Sequence, residues 1–208
     1  MTDLLPDPGR VSARRTLTRE KLMTAAVTAF AERGIVGASV EEICETAGFT
    51  RGAFYSNFTD KDALVLALIQ QNIQAQYAAA ERAVAVAKSA PDDLTAAELV
   101  TLTLDRFDVI GGQGREAITT QQELLLHAAR QPALREPYME FADACTRQLT
   151  TLITEALVAT RLEFTVPFAE AIELLMATHA HVQRLALFTG QHDPQLMRTL
   201  IMAITRPV

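Results

Sequence analysis

The chain has 208 residues, 49% of them hydrophobic, and a formal net charge of −6 from 19 Lys+Arg against 25 Asp+Glu. That composition is globular rather than disordered, and the acidic balance excludes a globally basic nucleic-acid binder while leaving local patches open. Two cysteines, Cys44 and Cys145, exclude a disulfide scaffold and lack the C-x-x-C spacing of zinc or redox work.

Elements follow from the grouping of the breakers. Residues 53–90 and 138–166 hold neither Gly nor Pro and are rich in Ala, Leu, Glu, Gln, Arg and Met, all good helix formers. No run of alternating β-branched residues and no internal repeat is present. The expected fold is all-α, with helices near 18–33, 40–47, 51–57, 60–88, 95–110, 115–130, 138–160, 167–189 and 194–205. The N-terminal helices are short and closely spaced, the later ones mostly long. This predicts a flexible basic arm over 1–17, a helix-turn-helix module over 18–62 and a larger helical body over 63–208. The longest unbroken apolar run, Ala63 to Ile69, is far short of the roughly 20 residues that span a bilayer. Asp3, Pro6, Asp7 and Pro8 fill the N-terminus and no apolar signal region follows, so the expected location is the cytoplasm, with no membrane partner.

In the first module the arm concentrates charge. Residues 10–21 hold Arg10, Arg14, Arg15, Arg19 and Lys21 against Glu20 alone, a patch suited to DNA backbone or minor groove. Leu22, Ala26, Ala29 and Phe30 line the inner face of helix 18–33. Ser39-Val-Glu-Glu42 fits a capping box, and Val40, Ile43, Cys44 and Ala47 make one apolar face behind it. Gly48 stands at the C-terminal cap, where a left-handed residue turns the chain. Thr50 caps the next helix, whose Phe54 and Phe58 fall at i, i+4 and point inward. Arg51, Gly52, Tyr55, Ser56 and Asn57 are then free to face outward: an Arg and an Asn for base edges, hydroxyls for phosphate. Gly52 costs helix propensity and makes sense where the backbone approaches another surface closely. Lys61 is positioned for another phosphate. A short helix-turn-helix shape also occurs in plain helical bundles, where Tyr55 and Asn57 are ordinary surface residues.

The segment from Gly37 to Lys61, with Ala47-Gly48-Phe49-Thr50-Arg51-Gly52-Ala53-Phe54-Tyr55-Ser56-Asn57-Phe58 at its centre, resembles the signature of the tetracycline-repressor (TetR) family. The similarity runs from about Arg19 to Leu64. The resemblance implies a one-component regulator whose N-terminal module binds double-stranded operator DNA. It further implies that Ser39, Thr50, Tyr55 and Lys61 meet phosphates, and that Arg51, Gly52, Ser56 and Asn57 meet base edges or nearby backbone. Ser39 stands where the family usually has Thr, and the hydroxyl is kept. Ala53 is too short to hydrogen-bond a base and suits a thymine methyl. His is common at the position of Asn57, so the sequence read there differs.

Beyond Leu64 the likeness is architectural: a helical effector-binding and dimerisation domain. Helix 167–189 has two apolar stripes, Phe168, Ile172, Leu175, His179, Val182, Ala186 and Leu174, Thr178, His181, Leu185, Phe188, and helix 194–205 is similar. Two such helices from each of two chains build a four-helix bundle, the family's usual homodimer; burial inside a large monomeric bundle is the alternative. Polar groups on otherwise apolar stripes, Tyr77, Thr103, Arg106, Gln122 and His179, are the candidate effector pocket. Each also has an ordinary structural explanation: a snorkelling Arg, a hydroxyl or amide on backbone, a His at the dimer seam.

Enzyme signatures are missing. The four histidines form no HExxH, and there is no G-x-S-x-G, Walker A or dinucleotide fingerprint, so no catalytic residue, metal or cofactor is expected. A helical adaptor for a protein partner is the other rival. The expected function is a homodimeric, non-enzymatic transcriptional regulator, more readily a repressor. An apolar or amphipathic small molecule would release it from its operator, with helix 60–88 carrying the shift from body to DNA module.

Overall fold

The computed structural model describes residues 8–91, 93–111, 114–190 and 193–208. In chain order these form α1 (Pro8–Gly37), α2 (Val40–Ala47), α3 (Arg51–Tyr55), α4 (Lys61–Lys88), α5 (Ala96–Gly111), α6 (Arg115–Arg130), α7 (Pro132–Thr160), β1 (Leu162–Phe164), α8 (Phe168–Thr189), α9 (Gln195–Ile204) and β2 (Thr205–Pro207). The all-α expectation holds, apart from the short β1–β2 ladder.

The fold falls into two compact units, Met1–Gln70 with Thr119–Tyr138, and Gln71–Ile118 with Met139–Val208. This differs from the expected boundary at residue 62, because most of α6 packs with the N-terminal helices. Thr120 Oγ1 donates to the Val27 carbonyl at 2.9 Å, Glu123 Oε2 accepts from Ile35 N–H at 3.3 Å, and His127 Nε2 meets Asp62 Oδ1 at 3.0 Å. The three side chains, at i, i+3 and i+7, share one helix face.

The core of the first unit is built from Leu22, Phe30, Ile35, Ile43, Phe54, Leu64 and Val65, each at most 1% exposed. Burying a side chain of this size stabilises by about 1.5–3 kcal/mol. Helix α1 breaks at Gly34 (φ 70°, ψ 164°), where the sequence ended its first helix. Its start lies within the expected arm over 1–17. Residues 8–17 are helical, while residues 1–7 lie outside the described ones. Pro8 in a first turn lacks only an N–H that a helix start leaves unpaired anyway. Arg15 and Arg19, further along, are anchored by the hydrogen bonds described below.

In the second unit the turn after α7 is made by Arg161, with φ 57°. β1 and β2 then pair antiparallel in the register Leu162↔Pro207, Glu163↔Arg206 and Phe164↔Thr205. Arg206 Nε donates to Glu163 Oε1 at 2.7 Å, Thr165 N–H to the Ile204 carbonyl at 2.8 Å, and Val208 N–H to the Arg161 carbonyl at 3.1 Å. These bonds tie the C-terminal segment to the end of α7. α7 itself begins six residues before the expected 138: Pro132 opens it, and Pro137 inside it removes a single backbone donor. On α8, Ile172, Val182 and Ala186 are buried, while Leu174, Leu185 and Phe188 stay exposed, Phe188 by 85%. Leu196 and Met202 of α9 are exposed as well. Among the described residues no helix is long and apolar enough to cross a membrane.

Candidate DNA-binding interface

Local chemistry fixes the α2–turn–α3 unit. Ser39 Oγ accepts from Glu42 N–H at 3.2 Å, and Glu42 Oε2 accepts from Ser39 N–H at 3.0 Å and from Ser39 Oγ at 3.1 Å. The Ser39 backbone N–H, more than the hydroxyl or Arg33, holds the Glu42 carboxyl below the usual carboxylate range. At the other end of α2, Gly48 is left-handed (φ 72°, ψ 32°), a conformation costly for residues with a Cβ. Its N–H donates to the Glu45 carbonyl at 3.1 Å, and Phe49 N–H to the Cys44 carbonyl at 2.8 Å. Burial pushes the Cys44 thiol up, with the nearby Glu41 carboxylate adding to it. Thr50 then opens α3, its Oγ1 accepting from Ala53 N–H at 3.3 Å.

Only Phe54 of α3 is fully buried, with Phe58 5.6 Å away between ring centres. Thr50, Arg51, Gly52, Tyr55 and Ser56 are exposed, and Ala53 is half-buried. Arg51 Nη1 meets Glu41 Oε1 of α2 at 2.8 Å, and its guanidinium carbon lies 5.9 Å from the centre of the Tyr55 ring. The Tyr55 hydroxyl first, then the Glu41 carboxylate, hold the guanidinium more firmly protonated than usual. A Cβ on Gly52 would meet only Thr50 Oγ1, at 3.7 Å. Nothing among the described residues therefore requires glycine at this position.

Five of the expected contact residues bond within the fold. Asn57 lies beyond the end of α3 and turns back: its Nδ2 donates to the Ala53 carbonyl at 2.8 Å, and its buried Oδ1 has no partner among the described residues. The Ser56 hydroxyl donates to the same carbonyl at 2.9 Å, yet Ser56 remains exposed. Lys61 Nζ donates to the Ile35 carbonyl at 2.6 Å and the Ala38 carbonyl at 3.0 Å, so it closes the end of α1. Arg15 Nη2 donates to the Ser56 carbonyl at 3.0 Å and Arg19 Nη1 to the Asn57 carbonyl at 3.1 Å, with the Arg19 guanidinium 4.3 Å from the Phe58 ring centre. Both brace the C-terminal end of α3, where cations favour the carbonyl ends. Arg14 is exposed. Glu41 was missed. Its only sequence signal is an acid in the first turn of α2, and its position opposite Arg51 depends on the Gly48 turn.

Residues 22–68 match the family model for bacterial regulatory proteins, tetR family. The likeness to that family is carried by this N-terminal segment. Within the curated relatives, the chain is 39% identical over 57 residues to the HTH-type transcriptional repressor AcnR of Corynebacterium diphtheriae. The match covers 27% of this chain and 30% of that protein, so it spans less than a third of the relative's length. The fold extends further. A TetR-family transcriptional regulator structure from Mesorhizobium loti superposes with TM-score 0.71 at 18% identity, covering 91% of this chain and 96% of that one. The transcriptional regulator FadR from Bacillus subtilis, solved in complex with stearoyl-CoA, gives TM-score 0.64 at 19% identity over 88% and 95%.

The five expected pocket residues do not share one unit. Gln122 lies in the first, while Tyr77, Thr103, Arg106 and His179 lie in the second. Arg106 is exposed, and Tyr77 is half-buried. The Thr103 hydroxyl donates to the Leu99 carbonyl at 2.7 Å, within its own helix. His179 packs edge-on against Phe107, with ring centres 5.7 Å apart. A cleft of about 170 Å³ in the second unit is lined instead by Ala87, Lys88, Pro91, Leu99, Glu155 and Val158, with Lys88 Nζ on Glu155 Oε2 at 2.7 Å. Among the described residues no group of three His, Cys, Asp or Glu could hold a metal ion.

Proposed function

We propose that the protein is a homodimeric, cytoplasmic transcriptional regulator, a repressor, that grips operator DNA through α3 and leaves it when a small molecule binds the helical body. The observation that carries the reading is the exposed row Thr50, Arg51, Gly52, Tyr55 and Ser56 above the buried Phe54, within the segment that matches the TetR family. An Arg fork suits guanine, the hydroxyls suit phosphate, Ala53 suits a thymine methyl, and the bare Gly52 admits a backbone to close range. Thr50 and Ser39 combine capping with a hydroxyl near this face. Arg14 supplies a further cation. On this account Arg15, Arg19 and Asn57 act chiefly by fixing the end of α3 and Lys61 by closing the end of α1, not by touching DNA.

Self-association is supported by the apolar side chains that α8 and α9 leave in solvent, Leu174, Leu185, Phe188, Leu196 and Met202. Two copies of α8 and α9 would bury them in a four-helix bundle. A two-fold dimer then carries two α3 helices, whose separation must match half-sites about 34–36 Å apart or a multiple of this. The effector is apolar or amphipathic; the stearoyl-CoA bound by the Bacillus subtilis fold neighbour supports that class. Helix α4 carries residues of both units, which gives ligand binding a covalent route to α3. The effector acts only to the extent that it prefers the arrangement with mismatched spacing.

The test is selection of bound duplexes from a random pool, followed by footprinting of the enriched sequence. Two half-sites related by a two-fold axis are expected. A single asymmetric half-site held by a monomer would contradict the dimeric reading.

A further inference from the structure

We propose that Glu41 is a specificity-determining residue of the DNA-binding face, acting through Arg51: its carboxylate holds the guanidinium fork in the one orientation that reads a guanine. This rests on the DNA-binding reading above.

The pair is unusual in where it stands. Arg51 and Glu41 are 61% and 55% exposed in their side chains, yet their atoms meet at 2.8 Å. An exposed ion pair contributes little to folding, because water competes for both charges. Its consequence is therefore sought in orientation. A free arginine side chain samples many rotamers, and a bidentate contact to guanine O6 and N7 uses only one of them. Two groups narrow that choice here. Glu41, from α2, takes Nη1, and the Tyr55 ring, one turn along α3, lies 5.9 Å from the guanidinium carbon. Of the five N–H donors, those not turned to Glu41 remain for a base. The ordering entropy is met before DNA arrives, so less is lost on binding.

The acid has a second effect. A carboxylate is acceptor-only and repels phosphate, so at a DNA-facing position it lowers affinity for duplexes in general. Among the described residues Glu41 makes no other ion pair, and Glu42, its neighbour, is committed to the Ser39 cap. Glu41 thus weakens non-specific binding while sharpening the specific contact, the two ways a partner is discriminated.

The experiment runs the random duplex selection on wild type, Arg51→Ala, Glu41→Ala, Glu41→Gln and the double variant, then measures affinities on single-base variants of the wild-type site at one salt concentration. Wild type should disfavour replacement of one guanine pair per half-site by roughly tenfold to hundredfold. Arg51→Ala should reduce that preference, at that same pair, to within about threefold, and Glu41→Ala should reduce it there by about twofold to fivefold. Glu41→Gln, whose amide oxygen still accepts from Nη1, should fall between. The double variant should match Arg51→Ala. Affinity of Glu41→Ala for a scrambled duplex should equal or exceed that of wild type, which also reports a folded module. Full preference retained in Glu41→Ala while Arg51→Ala loses it would overturn the proposal. So would loss of preference at a different base pair, since Glu41 would then read a base itself. If wild type has no preferred duplex at all, the DNA-binding reading fails and takes this inference with it.

Discussion

Lys61 Nζ donates to the Ile35 carbonyl at 2.6 Å, so the first residue of α4 closes the last turn of α1, just past the break at Gly34. Glu123 of α6 accepts the N–H of the same Ile35 at 3.3 Å. One residue is thus held through its N–H and its carbonyl by side chains from two other helices. Lys61→Met should lower the stability of the first unit by about 1.5–3 kcal/mol, the range for a hydrogen bond to a charged group. The salt dependence of duplex binding should be unchanged. Denaturant unfolding and a salt titration check both. A fall of about 0.9 in the slope of log affinity against log salt would instead make Lys61 a phosphate contact.

Gly52 has no role inside the fold, since a Cβ there meets only Thr50 Oγ1 at 3.7 Å. Gly52→Ala should leave the stability equal or raised, by up to about 1 kcal/mol of helix propensity. Duplex affinity should drop at least tenfold, because the added methyl stands between α3 and the DNA backbone. Calorimetry with a binding isotherm on the same sample separates the two effects. Unchanged affinity would move the contact face away from Gly52.

Tyr55 and Arg51 lie one turn apart on the same exposed face and should behave differently. Tyr55→Phe removes a hydroxyl that meets phosphate, so binding should weaken to a similar degree on every duplex. Arg51→Ala should relax preference at one base pair by roughly tenfold or more and leave the others. Affinities on the selected site and its single-base variants decide it.

Acid sensitivity follows from the cap of α2. The Glu42 carboxyl is held below its ordinary value by the Ser39 N–H, so its contribution is fully present above the unfolded value, about 4.3. It is lost as the pH falls through the lower, folded value. Glu42→Gln should therefore be less stable than wild type at neutral pH, with the gap closing as the pH falls below about 4. Denaturant melts from pH 7 down to about pH 3 read this directly. A gap independent of pH would remove the carboxylate charge from the explanation. Glu98, lowered by the Thr95 hydroxyl, should act alike in α5.

The helices and the α2–turn–α3 unit were legible because their signals are local. Ser39, Gly48 and Thr50 each act within four residues of themselves, and the Phe54–Phe58 spacing gave the buried side of α3. What the sequence hid depends on distant partners. Asn57 reads as part of the recognition face until α3 is seen to end at Tyr55. Arg15 and Arg19 read as a mobile arm until the Ser56 and Asn57 carbonyls are seen to receive them. The β1–β2 ladder joins segments whose three residues carry no pattern of their own. Tyr77, Thr103, Arg106, Gln122 and His179 were grouped as polar breaks in apolar stripes. Helical periodicity says which side of a helix a residue occupies, but not which neighbour that side meets, and Gln122 belongs with α1 and α4 in the first unit.

The central claim is that α3 reads DNA sequence. The most direct measurement is the ratio of dissociation constants of the purified protein for its enriched duplex and for a scrambled duplex of equal length, at one near-physiological salt concentration. The account predicts a ratio of about a thousandfold or more in favour of the enriched duplex, falling sharply in Arg51→Ala. A ratio near one, with the protein folded, would contradict it.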